Sequence, residues 1–504
     1  MNLATIINDH PEDAVALVSR GQRTSYGELR RQVGELRGGL VRLGLEPGDR
    51  VAVVSANTWF FVVTYLAALG AGGVVVPLNP QSPAAELTEQ LGLVRPKFLV
   101  VGPAGREAVA AINTTAVGVA HLLAPAGVSI DGAIALDALF GGEATAVVDR
   151  DDVDVAALLF TSGTSGAPKA AMLTHGSLRA NLEQAQRHPG RAVQADDVVL
   201  GVLPLFHIFG LNVVLGLTLF AGAAVVLIER FDPVSALETV VNHKVTIVLG
   251  APPMFTAWAT MPATELEDAG AGAGVMAGVR LALTGAAPLA SEVAVAFEQR
   301  FGVPVRQGYG LTEASPIVTS SVVDGEPKPD SIGVPLPGLE VRLVDESGDD
   351  APQGDPGEIW VRGPNVFAGY WENDEASAAA VDAEGWLHTG DIAVADDDGF
   401  LFIVDRVKDL IIVSGFNVYP AEVEEALLDH PGISEVAVVG VRHPYSGETV
   451  KAFVVAEPGQ HLEEDEVIEF CADRLARYKC PSKVMFVNEL QRGPAGKMLR
   501  RALR

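Results

Sequence analysis

Cysteine is nearly missing from this chain of 504 residues; only Cys471 and Cys480 are present. Two thiols cannot make a disulfide framework, and without a CxxC pair there is no zinc ribbon. Basic residues are scarce as well. Lys and Arg number 36 against 64 Asp and Glu, a net charge of −28. A surface this acidic repels phosphate backbones and anionic lipid, which excludes a general nucleic-acid binder. The first ten residues, MNLATIINDH, have neither a basic start nor an apolar core. No secretory signal is read there, and a cytoplasmic location is expected. The 53 glycines and 31 prolines follow no collagen or low-complexity period. With 48% hydrophobic and 20% charged residues the chain is globular rather than disordered. At roughly 100–200 residues per domain, its length fits about two to four domains, or one large domain and a small one.

Unbroken membrane-length apolar runs are also lacking, although two stretches come close. Residues 58–80 carry no charge, and neither do residues 201–228 apart from the ionisable His207. Each is long enough to span a bilayer, but each is broken by glycine and changes period. Phe60–Leu69 reads as a buried helix, Gly70–Gly73 as a break and Val74–Pro77 as a strand. Likewise Leu211–Phe220 reads as a helix, Gly222 as a break and Ala224–Ile228 as a strand. Helix–Gly–strand units belong in an α/β core, so no transmembrane segment is expected. The likeness of the two units (ALGAGGVVVPLNP and LFAGAAVVLIERFDP) hints at an internally duplicated architecture.

What the chain does have is alternation. Val51–Ser55, Phe98–Val101, Ala157–Phe160, Val198–Val202, Thr246–Gly250 and Leu281–Thr284 are apolar runs set between helical patterns. Such alternation predicts parallel sheets covered by helices. From Gly333 onward the texture is β-rich, with strands expected at Leu339–Asp345, Gly357–Arg362 and Phe400–Asp405. A compact α+β pattern follows: strand Leu410–Val413, helix Ala421–Asp429, strands Ile433–Val441 and Val450–Val455, helix Glu464–Leu475. The charged joint Asp405-Arg406-Val407-Lys408-Asp409 suggests a hinge rather than a flexible tether. Residues 474–504 hold nine Lys and Arg against one acid, Glu489. Such a tail suits a solvated helix-and-loop face; the alternative is that some of these residues meet a polyanionic small molecule.

The strongest chemical signal is Thr161-Ser162-Gly163-Thr164-Ser165-Gly166-Ala167-Pro168-Lys169, directly after an apolar strand. Its glycines let backbone N–H groups turn inward on an anion, its hydroxyls add donors, and Lys169 adds charge. It is not a Walker loop, because Ala-Pro separates Gly166 from Lys169. Leu203–Gly210 places His207 in an apolar run, where a lone histidine is more often a satisfied core residue. Thr284–Leu289 ends a strand with small residues on which a flat ring can lie. Gln307–Glu313 supplies an aromatic plate, a hydroxyl and a carboxylate at another strand end, where α/β sheets bind ligands. Plate, phosphate loop and carboxylate together are what ATP with Mg²⁺ needs.

Taken in order, TSGTSGAPK, LPLFHIFG, GAAPL, GYGLTE, GEIWVRGP, GWLHTGD (385–391), DRVKDLIIVSGFNVYPAEVE (405–424) and GPAGK (493–497) give a specific resemblance over nearly the whole chain. The sequence resembles the adenylate-forming superfamily: acyl-CoA synthetases, the adenylation domains of peptide synthetases, and firefly luciferase. Ala170 stands where a glycine usually follows the loop lysine, a departure expected to be tolerated past the phosphate turn. The resemblance implies an α/β fold: a large N-terminal domain (1–404) of two α/β subdomains plus a distorted β-barrel, and a small mobile α+β C-terminal domain (405–504).

It also implies roles. Thr161, Ser162, Gly163, Thr164, Ser165, Gly166 and Lys169 would hold the β- and γ-phosphates of ATP. Gly285, Ala286, Ala287, Tyr309 and Gly310 would form the adenine site, with Thr312 near the α-phosphate. Thr161 and Glu313 would ligate Mg²⁺, as hard oxygen donors suit. Asp391 and Arg406 would take the ribose, and Lys408 would be the hinge residue. Lys497 would cross to the carboxylate and α-phosphate. Gly415, Phe416 and Asn417 would line the path of the coenzyme A thiol, where glycine at 415 permits close approach. His207 would gate an acyl pocket made of Phe206, Phe209, Val213, Met254, Phe255 and Trp258.

The implied reaction is an AMP-forming acid–CoA ligation. A carboxylate attacks the α-phosphorus of ATP, pyrophosphate leaves, and a thiol then displaces AMP. The apolar pocket set and the helix ASEVAVAFEQR after GAAPL, which lacks a His/Arg pair near its start, favour a fatty or other apolar acid over aromatic or dicarboxylic acids. A carrier protein in place of CoA as acceptor is the alternative within this chemistry. A different ATP enzyme such as a kinase is the alternative outside it. A homo-oligomer is compatible with the sequence.

Overall fold

The computed structural model describes the chain except residues 163–167, 191–192, 269–273, 324–327, 346, 407–410, 458 and 491–504. Among the described residues the strands form four sheets. A seven-stranded sheet runs in the order Ile134–Ala135, His121–Ala124, Phe98–Val101, Arg50–Val54, Val74–Leu78, Val155–Ser162, Pro168–Thr174. Its pairs are parallel except the last, an antiparallel ribbon. A nine-stranded sheet has at its centre Val305–Gly310, Leu281–Thr284, Ile247–Gly250, Val198–Gly201 and Ala224–Leu227, all parallel. Central strands such as Val51–Val54 and Ile247–Gly250 are buried on both faces, which is why they read as continuous apolar runs.

The two charge-free stretches supply one helix–Gly–strand unit to each sheet. In the first, helix Trp59–Gly70 is buried at every residue after Trp59 and is started by the Thr58 side chain accepting from the Phe61 N–H. Gly72, in the left-handed region, turns the chain into strand Val74–Leu78. In the second, a π-helix over Phe209–Leu217 runs into helix Thr218–Ala221, Gly222 ends it in the left-handed region, and strand Ala224–Leu227 follows. The α-period expected from Leu211 is therefore wider wound, a feature common where a helix borders a functional site. Among the described residues no helix is long and apolar enough to cross a membrane.

Strands Glu340–Val344, Gly357–Arg362, Leu387–Ala395 and Leu401–Arg406 form the antiparallel segment foreseen after Gly333. Beyond it lies a separate C-terminal domain with a core of its own, built on Ile411, Val418, Leu427, Val438, Val454, Val467 and Cys471. Strands Ile433–His443 and Gly447–Ala456 and helices Pro420–Leu428 and Glu464–Ala472 match the expected pattern. Strands Phe416–Val418 and Lys483–Phe486 are additions to it.

Candidate active site

The ends of these strands bring distant motifs together. Thr161 pairs with Lys169 across the antiparallel ribbon, so both stand at the base of the Ser/Gly loop. Gly163, Thr164, Ser165 and Gly166 lie outside the described residues, and Ser162 is described in its backbone only. Ala170, on the same ribbon, is buried, and its carbonyl accepts from the Trp371 N–H at 2.8 Å.

That bond helps to bring in a residue the sequence reading passed over, Tyr370. The Tyr370 hydroxyl donates to Glu313 Oε1 at 2.6 Å, and Lys169 Nζ lies 5.4 Å from the centre of its ring. The Tyr370 N–H donates to the Ser377 hydroxyl at 2.8 Å, and the Phe367 N–H to the Glu313 carbonyl at 2.9 Å. Burial, then the charge and hydrogen bond of Glu313, push the Tyr370 phenol far above its ordinary value. It therefore stays a donor and fixes one carboxylate oxygen. Its position in FAGYW, six residues after the end of GEIWVRGP, was the available signal.

Strand Leu281–Thr284 delivers Gly285, Ala286 and Ala287. A Cβ at Gly285 would stand 3.2 Å from the Phe209 ring and 3.3 Å from the Gly308 carbonyl, so the wall is bare backbone there. Ala286 holds φ at 71°, a costly left-handed conformation for a residue with a Cβ. Strand Val305–Gly310 delivers Tyr309, whose hydroxyl donates to Asp391 Oδ2 at 2.7 Å. Asp391 pairs in register with Arg406 on the neighbouring strand; of Arg406 only the backbone is described. Thr312 and Glu313 sit on the short 3₁₀ turn that follows.

Thr161, Lys169, Ala286, Ala287, Tyr309, Gly310, Glu313, Tyr370 and Asp391 line one cavity of about 320 Å³. Thr161 and Glu313 share its wall, and among the described residues no group of three or more His, Cys, Asp or Glu is clustered for a metal. One carboxylate and one hydroxyl suit Mg²⁺, which takes few protein ligands when phosphates supply the rest.

A second cavity, of about 100 Å³, adjoins the first through Ala286, Gly308, Tyr309, Gly310, Leu311 and Asn417, which line both. Phe209, Val213, Gly285, His207 and Thr312 line it. Met254, Phe255 and Trp258 do not. They lie behind it in an aromatic core, with Phe255 5.2 Å from Phe297 and Trp258 5.4 Å from Phe231, ring centre to ring centre. Phe206 lines a third cavity of about 80 Å³, with His207, Thr161, Thr312, Phe416, Tyr478 and Lys479.

The small domain reaches these cavities through Gly415–Asn417. Gly415 has φ 87°, and a Cβ there would stand 3.2 Å from the Ala251 Cβ and 3.5 Å from the Ala286 Cβ. Phe416 stacks on Phe206 at 6.2 Å and on Tyr478 at 4.5 Å, and meets the edge of His207 at 6.0 Å. Burial pushes His207 down to about 4, so the ring is neutral near pH 7. Its Nδ1 accepts from the Phe209 N–H at 3.2 Å, which leaves the ring proton on Nε2. Among the described residues Asn417 alone lines all three cavities.

Lys479, counted in the sequence within the basic tail, is buried instead, between Glu86 of the large domain and Glu422 of its own. The hinge candidate Lys408 and the crossing lysine Lys497 both lie outside the described residues.

Comparison with known proteins adds a common theme. The AMP-binding enzyme family model matches residues 3–371, and the model of the C-terminal domain of AMP-binding enzymes matches residues 422–497. The chain is 38% identical over 492 residues to a feruloyl-CoA synthase of Amycolatopsis, covering 97% of this chain and 95% of that one. It is 34% identical to a long-chain-fatty-acid–CoA ligase of Bacillus subtilis, covering 97% and 91%. The crystal structure of ATP-bound MatB from Rhodopseudomonas palustris superposes with a TM-score of 0.74 at 36% identity, covering 100% of this chain and 98% of that one.

Proposed function

Because this chain belongs to the AMP-binding enzymes of the adenylate-forming superfamily, we propose that it joins a small carboxylic acid to coenzyme A with release of AMP and pyrophosphate. The observation that carries the reading is Asn417, a small-domain residue standing where three cavities meet. In this reading the largest takes ATP, the apolar second takes the acid, and the third admits the thiol.

ATP lies in the 320 Å³ cavity with its base on Tyr309 and the small-residue wall of Ala286 and Ala287. Its ribose faces Asp391, whose carboxylate is held by the Tyr309 hydroxyl. Lys169 and the Ser/Gly loop meet the phosphates. Thr161 and Glu313 would hold Mg²⁺, which when bound neutralises phosphate charge. The acid enters the second cavity with its carboxylate at the shared wall. A carboxylate oxygen attacks the α-phosphorus, and the bond to the bridging oxygen of pyrophosphate breaks. Both reactants are anions, so the protein's work is positioning and charge neutralisation. Lys497, by family resemblance, adds the bridging cation.

For the second half the domain joint at 405–409, with Lys408, turns the small domain so that Gly415–Asn417 face the acyl group. The described arrangement, with Phe416 packed on Phe206 and His207, supports that orientation. The thiolate sulfur attacks the acyl carbon, the C–O bond to AMP breaks, and AMP leaves. His207, neutral with its proton on Nε2, serves as a gate and hydrogen-bond donor beside the acyl group rather than as a charge.

The acid is compact and mostly apolar. The second cavity, about 100 Å³, is smaller than the roughly 150 Å³ that admits benzene. A short acyl group suits it better than a long fatty chain. The feruloyl-CoA synthase likeness supports the aromatic alternative. Product analysis tests the proposal: AMP and a CoA thioester support it, and ADP contradicts it.

A further inference from the structure

The turn that carries Thr312 and Glu313 is held in place through its carbonyls. The Glu313 carbonyl accepts from the Phe367 N–H at 2.9 Å, and the Ala314 carbonyl from Asn365 Nδ2 at 2.7 Å. The Ile317 carbonyl accepts from Asn181 Nδ2 at 2.8 Å, and the Ile317 N–H donates back to Asn181 Oδ1 at 3.0 Å. Between them the Ser315 carbonyl accepts from Asn212 Nδ2 at 2.8 Å. Ser315 is fully buried and holds φ at 66°, a conformation that persists in a residue with a Cβ only where its surroundings over-determine it. Asn212 differs from the other anchors in where it stands. It is the one polar residue of the π-helix Phe209–Leu217 and is 1% exposed. Phe209, Val213 and Leu217, spaced by four on that helix, line the second cavity. The Asn212 amide instead reaches the Ser315 carbonyl and, at 3.2 Å, the Leu178 carbonyl. Gly216 leaves room for it, since a Cβ there would stand 2.9 Å from Asn212 Oδ1. A buried amide that satisfies buried carbonyls ties together the elements that carry them, because letting go leaves each group unpaired.

We propose that Asn212 is a positioning residue of adenylate formation: its amide ties the wall of the second cavity to the turn of Thr312 and Glu313, so that one rigid part places both acid and nucleotide. The helix gives Phe209 and Val213 to the second cavity, and the turn gives Glu313 to the first. Asn212 itself lines none of the three cavities and acts through Ser315. Joining two anions depends on their relative placement, and a misplacement of about 1 Å can cost about 100-fold in rate. The inference rests on the reading that the first cavity takes ATP and the second the acid.

The test uses the full chain with benzoate and butyrate as probe acids. Two quantities are read: the dissociation constant of ATP with Mg²⁺ and no acid, by calorimetry, and the KM of the acid in AMP release. Asn212→Leu keeps the side chain's size, removes the amide and leaves the Ser315 carbonyl short of a donor, so both should rise at least about fivefold. Thioester formation from saturating synthetic benzoyl-AMP and CoA should stay close to normal, because acid and nucleotide are then already joined. Asn365→Leu frees the same turn but not the helix, and should raise the ATP constant with the acid KM near normal. If Asn212→Leu does not fold, Asn212→Ser, smaller and too short to reach Ser315, carries the same expectation. A rise in only one of the two quantities in the Asn212 variant overturns the proposal and leaves the ligase reading standing. So does a lower denaturant midpoint with both quantities unchanged, or an equal fall in thioester formation. AMP formed with neither acid, or ADP as the main product, overturns the ligase reading for compact acids, and this proposal with it.

Discussion

Lys479 Nζ lies 2.7 Å from Glu86 Oε1, and the bond joins the two domains. Glu422 Oε1 is 2.7 Å away on the lysine's other side, and the Ala476 N–H donates to the remaining oxygen of Glu86 at 2.8 Å. Burial opposes the ammonium, but the neighbouring carboxylates and Tyr478 outweigh it and hold the lysine well above its ordinary value. Burial raises Glu422, as expected where two carboxylates share one cation. The cluster forms where Phe416 packs on the large domain, so it favours this orientation.

Removing one partner of a buried ion pair typically costs about 3–5 kcal/mol. Lys479→Met should therefore weaken the orientation in which Gly415–Asn417 meet the acyl group. Thioester formation from synthetic acyl-AMP and CoA should fall at least about tenfold, and acid-dependent pyrophosphate release should fall less. Equal loss in both half-reactions would make the cluster a general stabiliser.

Lys497→Ala should split the half-reactions the other way. A cation that bridges two anions matters while they are being joined. Adenylate formation should slow by roughly 100–1,000-fold, with thioester formation from acyl-AMP near normal. If both fall together, the lysine has a structural role.

Tyr370→Phe removes the hydroxyl that fixes Glu313 Oε1 and keeps the ring beside Lys169. Adenylation should fall by about one to two orders of magnitude, with a higher Mg²⁺ concentration needed for half-maximal rate. An unchanged Mg²⁺ requirement would show that Glu313 acts away from the metal.

His175 and His207 are both pushed down to about 4 by burial. The unfolded rings gain protons as pH falls below about 6.5, the folded ones only near 4. The contribution of these two rings to stability is thus constant above about pH 6.5 and declines toward pH 4, by about 3 kcal/mol per ring. His175→Gln should flatten that decline in denaturant titrations at pH 7 and 4.5. An identical decline in the variant would assign the acid sensitivity elsewhere.

Much of this was legible because it is local. Apolar runs such as Val51–Val54 read as strands buried on both faces, and GYGLTE and TGD each carry their polar side chains within a few residues. Other features depend on which way a side chain faces after folding. Met254, Phe255 and Trp258 are large and apolar, and periodicity cannot tell a cavity wall from the core behind it; the helix Pro252–Thr260 turns them to the core. Lys479 read as solvated because its partner Glu86 is 393 residues away. Tyr370 went unnoticed for the same reason, since its partner Glu313 is 57 residues away.

The central claim is tested most directly by one stoichiometry: nucleotide, pyrophosphate and CoA followed together as short apolar and aromatic acids are added in turn to protein, ATP and Mg²⁺. The account predicts no AMP without acid, then AMP, pyrophosphate and acyl-CoA in equal amounts. ADP as the main product would contradict it, as would AMP release with CoA left unconsumed.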